Sequence, residues 1–142
     1  MNTELFGVFG DATDLRSIRD TDTFDRVLEG PRLAVGVSDE ALGHHGRTRV
    51  HQTDSGCCVV WGEAYLPEQD AENPAEWLLG RYEADGADAV GELNGSYVVT
   101  IDVDERPIVV SDPVRSWECF HTDVEGTRVF GTDPTEVVAT DP

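Results

Sequence analysis

The side chains able to do chemistry are few and irregularly spaced. Cys57 and Cys58 are adjacent and Cys119 stands alone; the histidines are His44, His45, His51 and His121; and the densest acidic run is Asp102-Val103-Asp104-Glu105. A zinc site needs ligands in short recurring spacings, and His44-His45 with His51 and the cysteine pair match none, so a solvated loop accounts for the histidines. The acidic run lacks the remaining ligands of a calcium loop and reads as the polar end of a hairpin. No metal site is expected. None of the six serines sits in a Gly-x-Ser-x-Gly elbow, and Gly7-x-x-Gly10 is too short for a dinucleotide fingerprint. Neighbouring cysteines on a strand point to opposite faces, so Cys57 and Cys58 read as structural thiols.

The remaining charge narrows the function further. The chain has 142 residues, with 29 acidic against ten basic side chains, a formal charge of −19. All ten bases are arginine. Without a lysine there can be no Schiff-base lysine and no phosphate-loop lysine. Nucleic acid and anionic membrane are not expected partners, because affinity for either comes from clustered cations. The acids are spread along the chain and 39% of residues are apolar, the composition of a folded globule of one domain over residues 1–142. Such a surface repels itself in dilute salt and is relieved in molar salt, where the screening length falls to about 3 Å. The expectation is a cytoplasmic protein adapted to a salt-rich cytosol. No run approaches the roughly 20 apolar residues of a membrane span, and Met1-Asn2-Thr3-Glu4 lacks the positive start of a signal peptide.

The elements that must position these residues follow from periodicity. Leu5–Phe9, Leu33–Val37 and Cys57–Trp61 read as buried strands. A helix is expected over Thr23–Glu29, ended by Gly30-Pro31. Asn73-Pro74-Ala75-Glu76 is a helix start: asparagine caps, proline suits the first position, and the helix buries Trp77, Leu78 and Tyr82. From Gly95 the period is two, with Tyr97, Val99, Ile101 and Val103 on one face and Val98 and Thr100 on the other, which predicts a sheet covered on both sides. Ile108–Ser111 continues it after a turn at Asp104–Pro107. Glu118–Thr122 and Thr127–Phe130 form a hairpin around Glu125-Gly126, and Asp133-Pro134-Thr135-Glu136 begins a short terminal helix. Strands and hairpins with few helices make an α+β class.

Five segments in order carry a resemblance: Phe6-Gly7-Val8-Phe9-Gly10, Trp61-Gly62-Glu63-Ala64-Tyr65, Glu92-Leu93-Asn94-Gly95-Ser96-Tyr97, Ser111-Asp112-Pro113-Val114-Arg115 and Val129-Phe130-Gly131-Thr132-Asp133. Together they resemble the class II glutamine amidotransferase domain, more narrowly the N-terminal glutaminase domain of asparagine synthetases. The resemblance covers nearly the whole chain and is densest from Trp77 to Ala139. It implies the Ntn-hydrolase fold, an αββα sandwich of two stacked antiparallel sheets with helices outside. It also implies a downstream synthetase domain that uses ammonia on an ATP-activated carboxylate.

The same resemblance marks the site as degenerate. The family's nucleophilic cysteine falls at Phe6, its oxyanion-hole asparagine at Trp61 and its amino-group aspartate at Pro74. Gly62 and Glu63 remain, and Arg32 corresponds to the arginine that holds the substrate carboxylate. Loss of the nucleophile alone removes covalent catalysis, a factor of about 10⁶ by analogy with serine-protease knockouts. The implied function is a catalytically silent scaffold for a synthetase domain, carried in the same gene or on a separate chain. No cofactor is expected in this domain, and ATP and Mg belong to the synthetase. The alternative is a standalone binding module whose remodelled pocket takes a small molecule or a protein. A homodimer stays open, because acidic surfaces in strong salt do not separate monomer from dimer.

Overall fold

A computed structural model of the chain describes residues 4–38, 49–65, 73–103, 107–111, 119–133 and 137. The first strand, β1 (Glu4–Val8), is followed by helix α1 (Ala12–Ile18), a 3₁₀ turn (Thr21–Thr23) and strands β2 (Arg26–Glu29) and β3 (Ala34–Ser38). Then come β4 (Arg49–Gln52), the long β5 (Gly56–Tyr65), helix α2 (Pro74–Asp85) and a 3₁₀ segment (Gly86–Glu92). The chain closes through β6 (Asn94–Val103), β7 (Ile108–Ser111), β8 (Phe120–Val124) and β9 (Thr127–Gly131).

These strands form two antiparallel sheets, one of five strands in the order β2-β3-β1-β9-β8 and one of four in the order β4-β5-β6-β7. The class is α+β, as the sequence predicts. Alternation along each strand sorts the core into three apolar layers. Leu5, Leu28, Leu33, Val35, Cys57, Val59, Trp61, Val98 and Phe130 meet between the sheets. Phe6, Val8, Ala34 and Val129 face outward from the five-stranded sheet onto Leu15 of α1 and onto Phe24. Cys58, Val60, Tyr97, Val99 and Ile101 face outward from the four-stranded sheet onto Leu78, Leu79 and Tyr82 of α2. Each fully buried side chain of this size contributes about 1.5–3 kcal/mol.

The predicted period-two strand is β6, and its register with β5 runs unbroken from Gly56↔Val103 to Tyr65↔Asn94. Asn73 caps α2 by accepting the Ala75 N–H at 2.9 Å, with Pro74 at the first position. Leu78 and Tyr82 are buried and Trp77 is half-buried. The β8–β9 hairpin turns at Glu125-Gly126 with φ of 51° and 85°.

One expectation is corrected. The helix over Thr23–Glu29 is instead a 3₁₀ turn and then β2, whose only buried residue is Leu28. A single inward residue between exposed neighbours suits an edge strand and gives a helix no apolar face to bury. The helix of this region is α1, opened by a reciprocal cap in which Asp11 and Asp14 accept each other's backbone N–H groups at 2.8 and 3.0 Å. For the terminal helix, Val137 N–H donates to the Asp133 carbonyl at 3.1 Å, and the rest lies outside the described residues, as do His44, His45, Asp104 and Glu105. Among the described residues, no helix is long and apolar enough to cross a membrane.

Candidate functional site

The segments that carry the resemblance lie side by side. Phe6-Gly7-Val8 on β1 pairs with Gly131-Phe130-Val129 on β9. On the other sheet, Trp61–Tyr65 of β5 pairs with Val98–Asn94 of β6, and Val98 pairs with Ser111 of β7. Gly62, within β5, has φ of 95°, a conformation that an L side chain rarely adopts and glycine enters freely.

The individual site residues do not converge. Phe6 is fully buried on the outer face of its sheet, where its ring stacks on Phe24 at 6.3 Å between centroids and 22° between planes. The Arg19 guanidinium lies 4.8 Å from both ring centroids, close enough for cation–π attraction. It also forms a two-pronged pair with buried Glu4, Nη1 to Oε2 at 2.5 Å and Nη2 to Oε1 at 2.8 Å. Trp61 is on the opposite side of that sheet, 1% exposed within the apolar layer between the sheets. Glu63 stands two residues on in β5, its backbone paired with Ser96. Pro74 begins α2, on the far side of the four-stranded sheet from Trp61. Arg32 is exposed in the turn between β2 and β3. Of the six positions, only Trp61, Gly62 and Glu63 are neighbours, and they are consecutive in the chain.

The turn that holds Arg32 closes around a fully buried carboxylate, Asp102 of β6. Inward alternation along β6 carries Val98, Thr100 and Asp102 toward the other sheet, and Asp102 is fully buried. One of its carboxylate oxygens accepts the backbone N–H groups of Arg32 and of Leu33, the latter at 2.8 Å. A Cβ on Gly30 would come within 2.6 Å of the same oxygen, so glycine lets the turn close around it. Alongside, the Gln52 amide treats the edge of β2 as a strand partner. It accepts Glu29 N–H at 3.2 Å and donates to Glu29 O at 2.9 Å, and it also reaches Gly56 O at 3.0 Å. The Glu29 carboxylate accepts the Ala12 N–H at 2.6 Å. Asp102 pairs with Cys57 across the ladder, and Trp61 lies four residues further along β5, about 13 Å at ~3.3 Å per residue.

All three thiols are held protonated. Burial pushes Cys57 up to about 12, helped by the negative charges of Asp102 and Glu29. Burial holds Cys58 well above the ordinary thiol value, with Cys57 adding to it. Cys119 is pushed up to about 11 by burial, which a hydrogen bond with the Gly131 backbone partly opposes. Among the described residues, no group of three histidine, cysteine or carboxylate side chains is arranged to hold a metal ion.

Reading from sequence placed Asp102 at the polar end of a hairpin, whereas it is fully buried near the end of β6, and it missed Gln52 and the Glu4–Arg19 pair. Asp102 carried a usable signal, since it shares the inward parity of Val98 and Thr100. Glu4 and Arg19 carried none, being 15 residues apart in different elements. Compared with known proteins, the chain matches no protein-family model and no curated sequence.

Proposed function

We propose that this chain is a catalytically silent domain of glutaminase type that serves as a scaffold for an ATP-dependent, amide-forming synthetase domain. The reading carries the Ntn-hydrolase identity with it, and two features of the fold support that. The sheets stack face to face with helices outside, and four of the five resembling segments pair strand to strand. The observation that carries the silence is chemical. Phe6 offers no nucleophilic atom and is enclosed under Phe24 and Arg19, while every thiol has its proton held in place. A thiol at about 12 has about 10⁻⁵ of its population as thiolate at pH 7. ATP and Mg then belong to the synthetase partner, which takes ammonia directly from solution.

The test is ammonia release from glutamine by the purified chain in molar KCl, followed by amide synthesis with the synthetase domain that the reading frame or a neighbouring gene encodes. The expected result is ammonia release at the rate of glutamine alone, with amide formed from ammonium and ATP only. Glutamine turnover by the chain, or amide formation that requires glutamine, overturns the reading.

A further inference from the structure

An edge of one sheet meets an edge of the other. In the five-stranded sheet the first strand is β2, and in the four-stranded sheet it is β4; they touch where Gln52 of β4 reaches Glu29 of β2. An edge strand turns alternate N–H and C=O groups outward, a template on which another strand can add. Which groups of β2 face outward follows from the register. Gly30 N–H donates to Leu33 O at 2.8 Å, and the pairing with β3 runs from Glu29↔Ala34 to Arg26↔Val37. Hydrogen-bonded pairs recur at every second residue, so Leu28 and Arg26 bond to β3 while Glu29 and Val27 turn their backbone groups outward.

At Glu29 the Gln52 side chain supplies what a neighbouring strand would. Its Oε1 accepts the Glu29 N–H at 3.2 Å and its Nε2 donates to the Glu29 carbonyl at 2.9 Å. A primary amide can do this because it carries an acceptor and donors in one plane, as a peptide group does. The amide is steadied by its own turn, with Nε2 3.0 Å from the Gly56 carbonyl and 3.1 Å from that of Thr53. The other outward position, Val27, is 42% exposed, the one exposed large hydrophobic residue among the described residues.

Val27 presents a donor and an acceptor to the same side, so it is complementary to itself. A second copy related by a two-fold axis at Val27 would bond N–H to carbonyl in both directions. The next outward groups of such a ladder are those of Glu29, which Gln52 already holds. Pairing stops at Val27, and two hydrogen bonds do not hold two chains together against the cost of association.

We propose that Gln52 is an edge guard: its amide stands where a further strand would lie beside β2, and it keeps a second copy of this chain from pairing β2 to β2 through Val27. The guard is independent of the scaffold reading.

Amide exchange of the whole chain, read by NMR in about 3 M KCl where screening makes repulsion between copies smallest, tests the guard in place. Glu29 N–H should be protected at least ~10-fold more than Val27 N–H. Sedimentation of Gln52→Ala tests the consequence: with the Glu29 groups released, self-association should be at least ~10-fold tighter than in the parent. Val27→Pro in that background deletes the outward N–H and spares the bonds to β3, since proline is tolerated where an edge N–H faces solvent. Association should then return to the parent's level. The exchange comparison needs no variant, so it decides the proposal should Gln52→Ala fail to fold. A Glu29 amide that exchanges as fast as that of Val27 overturns the proposal. So does a folded Gln52→Ala chain that associates no more than the parent, or association that survives Val27→Pro.

Discussion

A carboxylate enclosed between two sheets needs donors, and one oxygen of Asp102 accepts the N–H groups of both Arg32 and Leu33. It ties the β2–β3 turn of one sheet to the end of β6 in the other. Asp102→Ala strands both donors, and at about 1–3 kcal/mol for each unsatisfied group the chain should lose about 3 kcal/mol of stability. Asp102→Asn retains an acceptor oxygen and should lose less. It also removes a charge that pushes the Cys57 thiol up, so Cys57 in that variant should alkylate faster than in the parent above pH 9. Chemical denaturation and alkylation rates in molar salt check the two halves. Equal stability losses in the alanine and asparagine variants would count against the carboxylate as an acceptor. Period-two alternation already points Asp102 inward, so a buried acid with nearby donors was open to inference. Its partners were not, because Arg32 and Leu33 lie 70 and 69 residues away. The same limit hid Phe6's surroundings. That Phe6 has no nucleophilic atom is a matter of residue type, whereas the ring's position under Arg19 depends on where α1 crosses the sheet.

Strands and hairpins were legible because their pattern is local. Tyr97 to Val103 alternates over a full strand, and Glu125-Gly126 sits between two β-rich runs. Residues 12–29 were misread because that stretch offers little apolar periodicity in any window. Its α1 has seven residues and one buried side chain, Leu15, and the cap that starts it uses Asp14 where glutamate or glutamine is usual. The observed hairpin turn allows a sharper prediction. Both central residues have positive φ, 51° at Glu125 and 85° at Gly126, the signature of a type I′ turn, in which Asn-Gly is preferred. Glutamate with its Cβ is strained there, while asparagine tolerates the left-handed region. Glu125→Asn should therefore stabilise the chain by roughly 0.5–1 kcal/mol, read as a higher denaturant midpoint at unchanged slope. An unchanged or lower midpoint would mean that the turn relaxes out of this geometry in solution. Gly62 had no comparable signal in sequence, since a glycine inside a strand looks like any small residue until its φ is known.

Across the whole molecule, two opposing quantities set stability. Three apolar layers hold the sheets and helices together, and the burial of Trp61, Tyr97, Phe6 and Phe130 to 2% exposure or less favours folding at any salt concentration. The formal charge of −19 opposes compaction, and only dissolved ions reduce that opposition. Arg19–Glu4 and Arg128–Asp123 neutralise acids locally, but ten arginines cannot balance 29 acids. The thermal midpoint should therefore rise steeply between about 0.2 and 3 M KCl. If screening relieves about 3 kcal/mol of repulsion, the rise is roughly 10 °C, at ~3–4 °C per kcal/mol for a domain of this length. NaCl at equal concentration should produce nearly the same curve, because screening depends on ionic strength rather than on the cation. A flat response would mean that the acids are too far apart to oppose folding. A large difference between the two salts would instead mean that bound cations, and not diffuse screening, hold the acidic surface together.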